Sequence, residues 1–175
     1  MPGFINAHTH VGMAYLKGVA DDDPFDKWLN EEILPREDLF TSEDVYWAAL
    51  VSQMEMAKKG ITTFNDMYMY LENVCRATQD FGMRACICRG LVDFGGDDNG
   101  RLKENIQIHN KWNNANNGKI KIGLGPHAPY TCSKEYLKKI AFEAKELDTY
   151  IHIHIKESSA EENSYKLKDL LETNI

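Results

Sequence analysis

The sequence predicts an α/β fold in which parallel strands form a sheet and helices pack outside it. Five β-rich segments alternate with helical segments along the 175 residues, an order typical of βαβ units. Chemically reactive side chains also come just after the predicted strands, where α/β proteins place their ligands. These side chains are His8, His10, Asp66, Arg89, His127, His154 and Glu157.

Local signals set the elements of the first half of the chain. Residues 2–10 form a short apolar strand that ends in polar residues, and 26–34 can form a helix. Thr41-Ser42-Glu43-Asp44 offers an N-cap with acidic residues in the first turn, so it begins a helix that runs to Lys59, with Gly60 at the C′ position. Residues 61–67 are β-rich, and the helix 71–81 ends at Gly82.

The second half continues the alternation. The predicted strands are 84–93, 119–125 and 149–156, and the predicted helices are 101–115, 133–147 and about 159–171. Ser133 is the expected cap of its helix. A Gly- and Asp-rich loop spans 95–100, and a polar turn spans 113–118.

Two architectures fit this order. One is a partial TIM (β/α)8 barrel, made of about the first five β/α units. The other is an open flavodoxin-like sheet, which is complete at this length, whereas a closed barrel typically needs about 250 residues. Length alone favours the open sheet. The chain begins almost inside its first strand and stops without a final one, so we expect 1–175 to be the N-terminal portion of a longer barrel.

Composition excludes several classes of protein. The chain is 43% hydrophobic and 27% charged, which suits one domain or part of one. Its formal charge of −7 argues against a nucleic-acid partner. We expect no signal peptide, because residues 1–3 open no basic and apolar leader pattern, and no membrane span, because no apolar stretch is long enough. Its four cysteines form no C-x-x-C pair, so we expect reduced thiols and a cytoplasmic location.

His8-Thr9-His10 ends the first strand. Residues two apart in a strand share a face, so both imidazoles can reach one metal ion. Neutral imidazole is a common zinc ligand. By itself the pattern also fits a surface or packing pair.

A second cluster lies at 151–157, where His152 and His154 again share a face and Glu157 comes just beyond the strand. A carboxylate there is a candidate general acid/base, although it also fits a solvated residue at a helix start. His152 lies one layer deeper, so we interpret it as a hydrogen-bonded core histidine.

His127 follows the fourth strand between Pro126 and Pro129. The prolines restrict the backbone, which suits an imidazole that contacts a substrate, although a structural turn would look the same. A lysine here would suggest a carbamate that bridges two metals; its absence favours a single ion.

These motifs together resemble the amidohydrolase superfamily. Residues 2–10 resemble its opening signature, and the whole chain resembles its methylthioadenosine/S-adenosylhomocysteine deaminases. The other supporting segments are Trp28-Leu29, Glu55-Met56-Ala57, residues 62–68, Arg89-Gly90-Leu91, residues 125–133 and residues 152–158. Because the match runs in order along almost all of the chain, it favours the partial barrel.

The resemblance implies a metal-dependent enzyme that deaminates the adenine ring of methylthioadenosine, S-adenosylhomocysteine or adenosine-type nucleosides. His8, His10 and His154 match ligands of one divalent ion, with Zn²⁺ as the first candidate. Glu157 matches the carboxylate that shuttles a proton to the purine ring, and His127 matches a histidine that contacts the adenine.

Four further positions match residues that bind the rest of the nucleoside. Glu37 matches the acidic residue that pairs with the ribose hydroxyls, since one carboxylate can accept from two hydroxyls. Trp28 matches an aromatic wall of the nucleoside pocket. Arg89 and Arg101 match arginines that reach the carboxylate of a homocysteine tail. Without the resemblance, Trp28 also fits a core residue and Arg101 a solvated one.

The family also has a fourth histidine, a metal-binding aspartate and a small β-sandwich that these 175 residues do not contain. We therefore expect the fragment alone to have little or no activity. Three alternatives stay open: another amidohydrolase (a triazine chlorohydrolase, guanine deaminase or cytosine deaminase), a non-catalytic flavodoxin-like binding module, and a half-barrel whose exposed sheet edge promotes homo-oligomers.

Overall fold

Parallel strands alternate with helices in the described residues, which are 1–93, 96 and 98–157 of a computed structural model. Two units, Met1–Ala85 and Cys86–Ile175, make up the chain. The predicted final helix at 159–171 lies outside the described residues. The predicted alternation of strands and helices is confirmed.

In the first unit, strand β1 (Phe4–Thr9) pairs in parallel with β2 (Ile61–Tyr68). The register is irregular, because Asn6 pairs with Phe64 whereas Thr9 pairs with Asp66. Strand β1 therefore has one more residue than β2 between these two pairs, which is the signature of a bulge. The side chains of Phe4 and Ile5 are exposed.

Five helical segments and a short 3₁₀ helix (Val11–Leu16) complete the first unit. They are α1 (Phe25–Lys27), a π-helix (Trp28–Ile33), α2 (Leu34–Glu37), α3 (Ser42–Lys58) and α4 (Leu71–Phe81). The predicted end near Leu34 was wrong, since helical structure continues to Glu37. Pro35 lies in the first turn of α2, a position at which proline is tolerated.

Helix α3 begins and ends as its sequence predicts. The Thr41 hydroxyl accepts from the Asp44 amide at 3.2 Å, and the Asp44 carboxylate accepts from the Thr41 amide at 2.8 Å. These reciprocal bonds form a capping box. Gly60, just past the helix, has φ +78°, a left-handed conformation that suits glycine.

In the second unit, strand β3 (Arg84–Leu91), whose first two residues belong to the first unit, neighbours β4 (Ile120–Ile122) and β5 (Gly125–Pro126). The end of β3 pairs in parallel with β5. The helices are α5 (Arg101–Trp112), α6 (Ala115–Gly118) and α7 (Lys134–Glu146). The predicted fourth strand is thus two short strands, and the predicted polar turn is the irregular α6.

The predicted fifth strand, 149–156, is an extended segment and not a regular strand. Ile151 forms an isolated parallel bridge with Leu124, and the His152 amide donates to the Leu124 carbonyl. The next donor in that ladder would be residue 126, a proline without an amide hydrogen, so the ladder is interrupted there. The His154 amide then donates to the His127 carbonyl.

The core of the second unit is a cluster of apolar side chains from β3, α5, α7 and the residues near β5. Its buried members are Leu91, Leu102, Leu124, Cys132, Tyr136, Leu137, Ile140 and Ala144. None of the four cysteines, all of which lie in the described residues, forms a disulfide. None of the helices in the described ranges is both long and apolar enough to cross a bilayer.

Replacing Thr41 with alanine should lower the free energy of unfolding by about 1 kcal/mol, because the Asp44 amide loses its capping acceptor. Urea unfolding followed by circular dichroism measures this. Ser42→Ala is the matched control, since it removes the neighbouring exposed hydroxyl without touching the cap. Equal stability of Thr41→Ala and wild type would contradict the capping role.

Candidate functional site

Two histidines lie together at the carboxyl end of β1. His8 is exposed within the strand, and half-buried His10 follows the strand at the start of the 3₁₀ helix. Their ring centroids are 4.9 Å apart, and the ring planes are nearly perpendicular. This part of the first unit can therefore present two imidazole ligands side by side.

A main-chain carbonyl fixes the orientation of the His10 ring. Its Nδ1 lies 2.6 Å from the Met67 carbonyl oxygen. Because a carbonyl only accepts, Nδ1 carries the proton of the neutral ring and Nε2 presents a lone pair. Metal-binding histidines commonly have this arrangement, with one nitrogen bonded to an acceptor and the other directed to the ion.

Asp66 joins the ends of β1 and β2. Its Oδ1 accepts from the Val11 amide at 2.7 Å and lies 2.9 Å from the Thr9 hydroxyl oxygen. Burial of this carboxyl raises its pKa to about 7, although the two donors act in the opposite direction. The sequence placed Asp66 at a strand end but gave it no role. In the structure it holds the residues on both sides of His10.

Glu37 is positioned by a tyrosine of β2. The Tyr68 hydroxyl donates to Glu37 Oε1 at 2.6 Å, and the Tyr68 ring lies 6.4 Å from the His10 ring. Burial and the Glu37 charge raise the pKa of Tyr68, so its hydroxyl keeps its proton. The sequence pattern gave no signal for this pair beyond the presence of Tyr68 in the 62–68 segment.

Trp28 is half-buried in the same unit. Its indole nitrogen donates to the Val19 carbonyl at 3.1 Å, and its ring lies 6.1 Å from that of Phe25. These contacts fix the side chain near the start of the π-helix. They do not bear on the predicted role in a nucleoside pocket.

In the second unit, the close pairing of β5 with β3 places His127. The His127 amide donates to the Leu91 carbonyl at 2.9 Å, and its Nδ1 lies 3.0 Å from the Thr131 hydroxyl oxygen. Gly125 makes this approach possible, because a Cβ atom there would lie 2.5 Å from the Arg89 carbonyl oxygen. A larger residue would push the His127 loop away from β3.

His154 is oriented by the carbonyl of His127. Both the amide nitrogen and Nδ1 of His154 lie 2.9 Å from that oxygen. Since the carbonyl only accepts, Nδ1 carries the ring proton and Nε2 presents a lone pair, as in His10. His152, which we expect to be structural, is half-buried with its Nδ1 3.7 Å from Cys88 Sγ.

Glu157 and His127 have a common neighbour in Tyr130. The Tyr130 hydroxyl donates to Glu157 Oε2 at 2.6 Å, and the Tyr130 ring packs perpendicular to the His127 ring at 5.8 Å. The carboxylate of Asp93 accepts from the Ser133 amide at 2.7 Å and so ties the loop after His127 to the end of β3. The segment 125–133 was part of the family resemblance, but neither Tyr130 nor Asp93 was predicted to have a role.

The two arginines already contact groups of their own unit. Arg89 Nε lies 3.2 Å from Glu104 Oε2, and its amide donates to Asn105 Oδ1 at 2.9 Å. Arg101 Nη1 donates to the Asp98 carbonyl at 3.2 Å. The structure therefore fixes both arginines around the start of α5 without revealing their ligand.

The chain is similar to known proteins along nearly its whole length. The model of the amidohydrolase family matches residues 1–173. A 5-methylthioadenosine/S-adenosylhomocysteine deaminase from Thermotoga maritima is 48% identical over 98% of this chain and 41% of its own length. A 5'-deoxyadenosine deaminase from Methanobrevibacter smithii is 45% identical over 93% of this chain and 38% of its own length. The chain thus spans about two fifths of these relatives.

Solved structures show the same similarity. An adenosine deaminase from Xanthomonas campestris, with bound zinc, superposes with a TM-score of 0.85 at 30% identity, over 91% of this chain and 37% of its own. The atrazine chlorohydrolase TrzN from Arthrobacter aurescens, in complex with zinc, superposes with a TM-score of 0.79 over 90% of this chain and 41% of its own. Its identity is 20%, so it supports the fold alone.

Asp66 should make stability depend on pH. Its pKa is about 7 in the folded protein and about 3.9 in an unfolded chain. The buried carboxyl keeps a proton that the unfolded state has already lost, so the free energy of unfolding falls as pH rises from about 4 to 7 and is then constant.

Asp66→Asn keeps the Oδ1 acceptor but cannot titrate. Between pH 5 and 8, wild type should lose about 3 kcal/mol of stability relative to this variant. Urea unfolding at both pH values, with a chelator present so that metal binding does not contribute, measures the difference. The same pH dependence in both proteins would show that Asp66 titrates normally.

Proposed function

The chain belongs to the amidohydrolase family, and from this we propose that the protein containing these 175 residues is a metal-dependent deaminase of adenine nucleosides. The resemblance in the sequence is confirmed by the family match, and the partial barrel is confirmed by the likeness to solved amidohydrolases. An open flavodoxin-like sheet does not account for that likeness.

The substrate class rests on the curated relatives. Those at 42–48% identity are named as 5-methylthioadenosine/S-adenosylhomocysteine deaminases or as a 5'-deoxyadenosine deaminase. We therefore propose hydrolytic removal of the amino group from the adenine ring of such a nucleoside. Because the chain spans about two fifths of these relatives, this activity is proposed for the whole protein, and we expect the 175 residues alone to turn over little or no substrate.

The proposed metal ligands are His8, His10 and His154. The observation that carries this assignment is shared by His10 and His154: each donates its Nδ1 proton to a main-chain carbonyl, so each presents Nε2 as a ligand atom. We propose that these three imidazoles bind one ion. An all-imidazole set fits zinc, the ion in the two zinc-bound neighbours. When bound, the ion would supply a nucleophile from water at neutral pH.

Glu157 and His127 are assigned to the adenine ring. The Tyr130 hydroxyl donates to Oε2 of Glu157. We propose that Oε1 of Glu157 transfers the proton to the ring nitrogen of adenine. The Thr131 hydroxyl, which donates to the Ala128 carbonyl, accepts the Nδ1 proton of His127. His127 Nε2 can then accept a hydrogen bond from the amino group of adenine and hold the ring in place.

The remaining assignments concern the sugar and the tail of the nucleoside. Glu37 would accept hydrogen bonds from the ribose hydroxyls, and Trp28 would line the pocket. We assign Arg89, whose Nε forms an ion pair with Glu104, together with Arg101 to a substrate carboxylate. A guanidinium has five N–H donors in a planar fork, so it can bind a protein carboxylate and a substrate carboxylate together.

Substrate comparison tests the proposal against other amidohydrolase reactions. Methylthioadenosine and S-adenosylhomocysteine should be deaminated much faster than guanine or cytosine, because a bare base offers nothing to Glu37 or Arg101. Ammonia release from each compound by the protein that contains these residues measures the preference. Faster release from guanine or cytosine, or none from the nucleosides, would refute the proposed function.

Replacing Glu157 with glutamine should lower kcat for the nucleoside by at least about 100-fold, since the amide keeps the shape but cannot transfer the proton. Glu135→Gln, an exposed change in the first turn of α7, is the matched control and should leave kcat unchanged. A kcat for Glu157→Gln close to that of wild type would rule out the role given to this carboxylate.

A further inference from the structure

We propose that Tyr68 is a positioning residue that sets the preference for substrates with ribose hydroxyls, by fixing the carboxylate of Glu37. This inference rests on the proposed function, which assigns Glu37 to the ribose. It adds a residue that does not touch the substrate and acts through Glu37.

The contact between the two side chains fixes which carboxylate oxygen is engaged. The Tyr68 hydroxyl donates to Glu37 Oε1 at 2.6 Å, a short, charge-assisted hydrogen bond. Tyr68 is only 7% exposed, and its bond to the half-buried Glu37 is partly buried. The bond restricts rotation of the carboxylate that the proposed function assigns to the sugar hydroxyls.

The Tyr68 ring is itself held in place by Gly12. A Cβ atom on Gly12 would lie 2.1 and 2.2 Å from two ring carbons of Tyr68, so the ring packs directly against the backbone of the 3₁₀ helix. This helix follows His10, whose ring lies 6.4 Å from that of Tyr68. The backbone at Gly12 therefore closes one side of the Tyr68 ring.

These contacts give Tyr68 a specific energetic role. Without its hydroxyl, the half-buried Glu37 carboxylate loses a fixed donor and can adopt other rotamers, so binding of two hydroxyls must also order the side chain. The loss should appear only with substrates that carry those hydroxyls. A substrate without ribose hydroxyls, such as 2',3'-dideoxyadenosine, cannot donate a hydrogen bond to Glu37, whether or not the Tyr68 hydroxyl is present.

The test is Tyr68→Phe in the protein that contains these residues, assayed for deamination of adenosine and 2',3'-dideoxyadenosine. Phenylalanine keeps the ring against Gly12 and removes only the hydroxyl. We expect kcat/KM for adenosine to fall about tenfold, mainly through KM, because a hydrogen bond to a charge is lost. The value for 2',3'-dideoxyadenosine should change less than twofold. In a Glu37→Ala background, Tyr68→Phe should have no further effect on adenosine.

Tyr46→Phe is the matched control, because Tyr46 also donates to a carboxylate, Asp80, at 2.8 Å, but on the surface of α3. It should leave both substrates unaffected. Equal losses for both substrates in Tyr68→Phe, or a loss that persists without Glu37, would indicate a merely structural role and overturn the inference. The wild-type assay tests the proposed function separately. If wild-type protein deaminates no adenine nucleoside, both the proposed function and the role of Tyr68 are refuted.

Discussion

A hydrogen bond from imidazole Nδ1 to a main-chain carbonyl determines which nitrogen His10 and His154 can offer to a metal ion. A neutral imidazole has one ring proton, and the nitrogen that carries it cannot bind a metal ion. The Nδ1–H of His10 donates a hydrogen bond to the Met67 carbonyl, and the Nδ1–H of His154 donates one to the His127 carbonyl. Both rings therefore present Nε2, and the two acceptors are parts of the backbone that a side-chain change cannot remove.

The position of each acceptor depends on how neighbouring strands pair. The Met67 carbonyl belongs to β2, which is joined to the end of β1 through the Thr9–Asp66 pair and the Asp66 carboxylate. The His127 carbonyl follows β5, which Gly125 allows to approach β3 closely. The first unit thus positions its carbonyl acceptor through Asp66, and the second unit does so through the close approach at Gly125. The irregular features, a bulge in β1 and a very short β5, lie next to the histidines.

The sequence predicted the parts of the fold that local chemistry determines. Helix α3 has the expected capping box at Thr41 and a left-handed glycine at its end, because both signals act within one turn of the chain. The alternation of strands and helices followed from hydrophobic pattern. Two features differed from the local pattern: helical structure continues past the predicted end near Leu34, and Pro126 interrupts a strand pairing that the residues of 149–156 favour.

The candidate site was predictable as residue types and not as contacts. His8, His10, His127, His154 and Glu157 could be selected because they follow strands and resemble a known signature. The partners of these residues could not, since Tyr130 and Glu157 are 27 residues apart and Tyr68 and Glu37 are 31 apart. Which nitrogen of a histidine carries the proton also depends on an acceptor brought close only by the fold. These tyrosines and carbonyls set the geometry on which the proposed chemistry relies.

Metal analysis of the purified protein that contains these residues tests the central claim most directly. The account predicts about one equivalent of divalent ion, with zinc as the expected metal. Replacing His10 or His154 with alanine should remove that ion. The His152→Ala variant should retain more metal than these two variants. Wild-type protein without a bound ion after exposure to zinc, or unchanged metal content in the His10 and His154 variants, would contradict it.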